Sequence, residues 1–440
     1  MIMKDYRNKI VTPETAARAV RSGDWVDYGF GAGFPELMDK ALAARKDELR
    51  DVRIRGGLVI RPRIETVECD PEQSTFSYYS WHIGDYERKL QSRGLVKFLP
   101  VALRLLPELY RSHLRVDAAF VPVSEPDENG YCSLGISNYT WRVIFEHART
   151  VVFEINEHYP RLYGVDGSNR VHLSEADYIV EGEHEPLPTR AYKEASEIDK
   201  KIAERVVAEI PDGAVLALGV GGVPFTVASM IAQSDLKDLG CHTGTISDAF
   251  LTLYRAGKLT NTRKEFDAGR STWNLAMGSN EFYDWLRENP ELFHPGDLDY
   301  VHDPCRIATM KNVVSINGGV QLDLMGQENA ESAGTRQLSG IGGQMDFLEG
   351  AFRSKGGKGF ICINSSRLTK NGERKSNILP FIPAGATVSA PRTMVQYVAT
   401  EYGIAKLSGL SIRERAEAMI LIAHPDFRDE LAKYAAENFR

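Results

Sequence analysis

Cysteine is scarce in this chain. Its five residues among 440, Cys69, Cys132, Cys241, Cys305 and Cys362, are scattered and never form C-x-x-C, which excludes a disulfide framework and fits a reducing compartment. The ten histidines contain neither H-E-x-x-H nor another metal-ligand spacing, so no metal is expected. Long apolar runs are missing as well. Hydrophobic residues reach 43%, yet no run approaches the roughly 18 residues of a membrane helix, and the opening MIMKDYRNKIVTPE has no apolar signal core. A soluble cytoplasmic protein with no membrane partner is expected. Nor is there an excess of positive charge: 53 Lys+Arg against 60 Asp+Glu leave a net charge of -7. With no long basic run to neutralise phosphates, nucleic acid is not an expected partner.

What the chain does have is alternation. Apolar runs rich in Val, Ile and Leu (VDAAFVPV, RTVVFEI, AVLALGV, NVVSI, KGFICI) alternate with helical patterns, the mark of an α/β architecture. At 440 residues two or three domains are expected. The polar, proline-bearing stretch EGEHEPLPTRAYKEASEID marks a boundary, which gives an N-terminal domain over residues 1–186 and a C-terminal domain over 187–440. On both sides the same order recurs: helical pattern, extended apolar run, glycine-rich turn with proline, helix. ETAARAVRSGDWVDYGFGAGFPELMDKAL and DKKIAERVVAEIPDGAVLALGVGGVPFTVASMI read as distant copies, and two such domains facing each other would set a site between them.

Two glycine-rich turns can bring backbone N–H groups to a ligand. In Gly219-Val220-Gly221-Gly222-Val223-Pro224, Pro224 suits the first position of a helix. No Gly-Lys-Ser/Thr follows and the third glycine of the dinucleotide fingerprint is absent, so nucleotide hydrolysis and NAD chemistry lose support. Gly340-Ile341-Gly342-Gly343-Gln344 places three glycines directly before a helical segment and can aim successive amides at an oxyanion. Upstream, Gly326 to Glu331 reads as a polar loop.

Taken together, SEPDENGYCSLGIS, GVGGVP, LGCHTGTISDAF, the turn Val301-His302-Asp303-Pro304, SINGGVQLDLMGQENAES and SGIGGQMDF resemble the acetyl-CoA hydrolase/transferase family, the class I CoA-transferases that include 4-hydroxybutyrate and butyrate CoA-transferases. The likeness covers nearly the whole chain. It implies two related open α/β domains of the CoA-transferase type with acyl-CoA at their interface. It also implies a short-chain acyl-CoA and a small carboxylate as substrates, coenzyme A as cosubstrate, no metal, and a homo-oligomer. In the family a glutamate attacks the thioester and passes CoA onward through an acyl-glutamyl anhydride, with backbone amides holding each oxyanion. By resemblance the oxyanion contacts fall on Val220 and Gly342. The CoA-facing residues are Gly219, Gly221, Gly222, Val223, Gly340, Ile341, Gly343 and Gln344.

The chain departs from the family at the reacting position. Where members read H-T-E, it has His242-Thr243-Gly244, and a glycine cannot form an anhydride. His302 stands where asparagine is usual and Gln321 where glutamate is common. Among substitutes for the nucleophile, Asp248 fits a capping box begun by Thr245, and Cys241 and His242, adjacent on a strand, point to opposite faces. Cys305 reads as a buried inert thiol. His302 is the candidate general base on water. Trp25, Tyr28, Phe30, Tyr78, Tyr79, Trp81 and Trp273 read as core, and His82, Arg61 and Arg63 as solvated surface groups. The resemblance implies an acyl-CoA-processing enzyme of the acyl-CoA:carboxylate CoA-transferase type, its chemistry altered by the missing glutamate; the alternatives are acyl-CoA hydrolysis with His302 as general base and CoA binding without catalysis.

Overall fold

The structure is a computed structural model that describes residues 6–190 and 194–439. Its contacts divide the chain into two units, Met1–Arg190 with Thr272–Val301, and Ala191–Ser271 with His302–Arg440. The α/β architecture expected from the sequence is present in both. The first boundary lies close to the cut at 186/187, but the return of 272–301 to the first unit differs from a single cut. The reason is apolar: Leu275, Met277 and Leu298 are buried in one cluster with Phe30, Trp81 and Tyr139.

In the first unit eight strands form one sheet in the order Ile10–Val11, Tyr178–Val180, Thr150–Ile155, Ala118–Val123, Trp25–Phe30, Val52–Gly57, Phe76–Ser80, Val96–Phe98. Every pair is parallel. A parallel sheet is covered on both faces, so its central strands are apolar throughout rather than alternating. This explains AAFVPV and, apart from Thr150 and Glu154, TVVFEI, both buried at every position. Successive side chains leave on opposite faces: Val121 and Phe153 join one cluster, Phe120 and Val152 another. Each such buried side chain is worth roughly 1.5–3 kcal/mol.

The second unit orders six strands as Gly240–Ile246, Val215–Leu218, Val313–Gly318, Lys358–Cys362, Tyr397–Thr400 and Gly403–Lys406. All pairs are parallel except the last, an antiparallel hairpin. The helix Glu197–Val207 forms where Ser196 and Asp199 close a capping box and Ile202, Ala203 and Val206 supply the buried face. Each unit contains the helix–strand–turn–helix order read from the sequence. Among the described residues no helix is long and apolar enough to cross a membrane, and no group of three or more His, Cys, Asp or Glu is placed to hold a metal ion.

Candidate active site

In parallel α/β sheets the carboxyl ends of the strands, where the chain turns into a helix, are the ends that receive ligands. In the second unit the turn 219–223 leaves the strand Val215–Leu218 and enters the helix Gly222–Ala232, capped by Gly221. That helix begins two residues before Pro224, which is its third residue rather than its first. Val220, at the crest of this turn, is 37% exposed. The Gly219 N–H, in contrast, donates to the Ile316 carbonyl at 2.9 Å as part of the sheet, which removes it as a ligand donor.

Gly244 lies on the neighbouring strand Gly240–Ile246, held to Val215–Leu218 through Val215–Gly240 and Leu216–Cys241. The Thr243 hydroxyl donates to the Leu218 carbonyl at 3.3 Å, which seats Gly244 beside the 219–223 turn. The second glycine turn ends at Gly343, the N-cap of the helix Gln344–Arg353. Gly342 takes φ +58°, the left-handed conformation that favours glycine.

Gly244, His302 and Gly343 come together around one imidazole. A Cβ on Gly244 would stand 3.0 Å from His302 Cε1 and 3.1 Å from Nε2, and a Cβ on Gly343 would overlap the same ring. The ring is closed by Phe347, edge to face at 5.2 Å. His302 Nδ1 meets Asp346 Oδ2 at 2.9 Å, with the two side chains 2% and 0% exposed. A carboxylate accepting from Nδ1–H fixes the tautomer that leaves the Nε2 lone pair available as a base. This Nε2 faces the point from which a glutamate at 244 would start. Sequence reading proposed His302 alone; Asp346 it passed over, although the spacing Gly-Gly-Gln-Met-Asp at a helix start was visible.

Other expectations are corrected by geometry. Asp248 is the first residue of the helix Asp248–Arg255, whose N-cap is Ser247, so the Thr245 capping box does not form. Cys305 is exposed rather than buried, with Arg353 Nη1 at 3.4 Å from its Sγ. Cys241 is buried, and burial pushes its thiol up to about 12, leaving it a poor nucleophile. Arg61 is buried, paired with Glu36 and donating to the carbonyls of Pro186 and Glu185 at 2.8 and 3.2 Å; a guanidinium without solvent needs those partners. His82 is half-buried, and burial pushes it down to about 4. Arg63 is exposed and pairs with Glu65.

The sequence reading also missed Glu328. It lies in what reads as a polar loop, but it is fully buried, and Gln344 Nε2 donates to both of its oxygens at 2.8 and 2.6 Å. Burial pushes its carboxyl up to about 8, opposed by the Gln344 hydrogen bonds and reinforced by Glu331. Nothing in the local residue types marks it as buried.

Two family models match the chain, the acetyl-CoA hydrolase/transferase N-terminal domain over residues 2–189 and the C-terminal domain over 278–435. The chain belongs to the acetyl-CoA hydrolase/transferase family. Within this family it is 43% identical over 434 residues to a butyryl-CoA:acetate CoA-transferase of Anaerostipes caccae, covering 98% of this chain and 97% of that one. It is 37% identical to a 4-hydroxybutyrate coenzyme A transferase of Clostridium kluyveri, with 99% of each covered. Among solved structures, RipA from Yersinia pestis superposes with a TM-score of 0.89 at 35% identity, covering 99% of each chain. As a member of the acetyl-CoA hydrolase/transferase family the protein is an enzyme of the CoA-transferase kind, and CoA thioesters are its substrate class.

Proposed function

We propose that the protein acts on a short-chain acyl-CoA and that, with glycine at 244, water activated by His302 does the work of the side-chain nucleophile, so that CoA release outruns transfer to a small carboxylate. The observation that carries this reading is the Asp346–His302 pair, with Nε2 3.1 Å from the position a Cβ would take on Gly244. Water attacks the thioester carbonyl while its proton passes to Nε2. The negative charge that develops on the carbonyl oxygen is held by amides of the Val220 and Gly342 turns. The carbon–sulfur bond then breaks, and the leaving thiolate takes the proton back from His302, giving the free acid and CoA. Gly221, Gly222, Val223, Gly340 and Ile341 line the same two turns and serve CoA binding. The similarity to CoA-transferases supports a second outcome, transfer to an acceptor carboxylate at the same residues. Five cysteines with no disulfide among them support a cytoplasmic setting.

Assays with acetyl- and butyryl-CoA, with and without added acetate, separate the outcomes. Free CoA at a rate indifferent to acetate is expected. Acetate-dependent exchange accompanied by a borohydride-sensitive mass adduct would overturn the hydrolytic reading, and saturable CoA binding without turnover would overturn both. His302→Ala and Asp346→Asn should each lower CoA release by about a hundredfold while leaving the CoA-induced thermal shift in place.

A further inference from the structure

The Gly340–Gly343 turn is gripped from both ends by one segment, Glu328 to Glu331, which begins with the two-residue strand Glu328–Asn329 rather than the loop its sequence suggested. At the start of the turn the Glu331 carbonyl accepts from the Leu338 and Ser339 amides at 2.6 and 3.1 Å, and Gln337 Nε2 donates to the Ser339 carbonyl at 2.8 Å. At its end both oxygens of the Glu328 side chain accept from Gln344, the first residue of the helix that the turn caps. The gripping segment is itself anchored: Ser389 N donates to the Glu328 carbonyl at 2.7 Å, and the Ser389 hydroxyl donates to Glu331 Oε2 at 2.7 Å. Gly319 leaves room for Glu328, since a Cβ there would lie 2.9 Å from Glu328 Oε1.

We propose that Glu328 is a positioning residue which, through Gln344, holds the Gly340–Gly343 turn and its Gly342 amide in the geometry that acyl-CoA turnover requires. It touches no reacting atom in this scheme. The proposal rests on the function proposed above for what the turn does, and on the hydrogen bonds alone for how the turn is held.

The chemistry of the clamp makes it sensitive to alkali. Among the described residues no cation is recorded as acting on Glu328. From its own segment the nearby charge is the Glu331 carboxylate. The head of the Gln344 helix presents neutral Gln344 and, two residues on, Asp346, which is engaged with His302. The segment at 389 presents a hydroxyl, and the turn at 319 no side chain. An acid raised from 4.5 to about 8 contributes stability that is complete below about 4.5 and lost as pH rises through about 8. Above that pH a buried anion forms behind the turn, met by the Gln344 donor and by the like charge of Glu331.

The test uses the full-length protein with Glu328→Gln, which keeps the shape and one acceptor oxygen for Gln344 while staying neutral, and Glu328→Ala, which removes the clamp. Hydrogen exchange of the 339–347 segment needs no activity. At pH 7 we expect parent and Glu328→Gln alike, with Glu328→Ala exchanging about tenfold faster there, in contrast to unchanged strands of the first unit. The kcat profile over pH 6–10 should fall above about 8 in the parent and lose that limb in Glu328→Gln, with KM within about threefold. Equal protection of the segment in all three proteins would overturn the clamp, and so would a mass adduct on Glu328, which would make it a nucleophile. An inactive parent with the expected exchange pattern would sink the proposed function and leave the clamp standing.

Discussion

In the first unit the turn that follows Trp25–Phe30 is buried from Gly29 to Pro35, whereas in the second the turn that follows Val215–Leu218 leaves Val220 and Gly222 exposed. The two are spelled almost alike, glycines spaced by one residue and closed by proline. Their glycines answer different needs. Gly29 and Gly31 take φ +81° and +69°, and a Cβ would stand 2.5 Å from Trp141 at the first and 2.6 Å from Leu275 at the second. Gly221 has an extended φ of 168°, and a Cβ there would meet nothing nearer than Pro224 Cδ at 3.9 Å. One turn uses glycine so that the core can close over it, the other so that backbone stays uncovered. A sequence repeat therefore identifies a shared framework without assigning both copies the same task.

The sharpest way to break this comparison is Gly29→Val. Left-handed strain and collision with Trp141 together should cost about 3–6 kcal/mol, enough to unfold the first unit in a urea titration. A cooperative transition at the parent's midpoint would show that the turn is not core. Next comes Gly342→Val. At φ +58° a β-branched residue should displace the turn and abolish the thermal shift produced by CoA, which in the parent grows with ligand concentration by mass action; a retained shift would remove the turn from the binding site.

Gly244→Glu is informative only in combination. Its Cβ would press on His302 at 3.0–3.1 Å, so the single variant should gain little acetate exchange, while Gly244→Glu with His302→Asn should gain at least about tenfold over it. Exchange in the single variant equal to that of the double would mean the imidazole does not compete for this space. At the small end, Gly221→Val should change stability by less than about 1 kcal/mol yet weaken CoA binding through its exposed position, and Cys305→Ser should leave the rate of CoA release unchanged.

Much of the fold was legible because parallel strands buried on both faces are written mainly in apolar letters, as AAFVPV is and as TVVFEI is apart from Thr150 and Glu154. The helix that follows Ser196 was legible from the amphipathic pattern DKKIAERVVAEI. Less legible was anything set by distant packing. Cys305 reads as an ordinary small thiol, and only the exposed start of the helix Pro304–Thr309 brings it out to Arg353. Arg61 reads as a surface cation until the backbone carbonyls at 185 and 186 arrive from more than a hundred residues away. His302 drew notice through its residue type, but its partner Asp346 is 44 positions later, and no local pattern joins them. Glu328 is the extreme case: a carboxylate in a polar string whose burial depends on Gly319, Gln344 and Ser389 closing around it.

The return of Thr272–Val301 to the first unit bears on how the chain is made. Synthesis runs from the N-terminus, so residues 1–190 emerge well before Leu275, Met277 and Leu298, which complete the cluster around Phe30 and Tyr139. Until then Gly31 has no Leu275 above it, and the first unit waits with an apolar face uncovered while the strands Val215–Leu218 and Gly240–Ile246 of the second unit are translated. Closing that long excursion adds only a logarithmic entropy, so the finished unit loses little stability, but the order of assembly is imposed by the thread. A fragment ending at residue 190 would carry the same open face permanently and should need a chaperone or the missing thirty-residue segment supplied in trans.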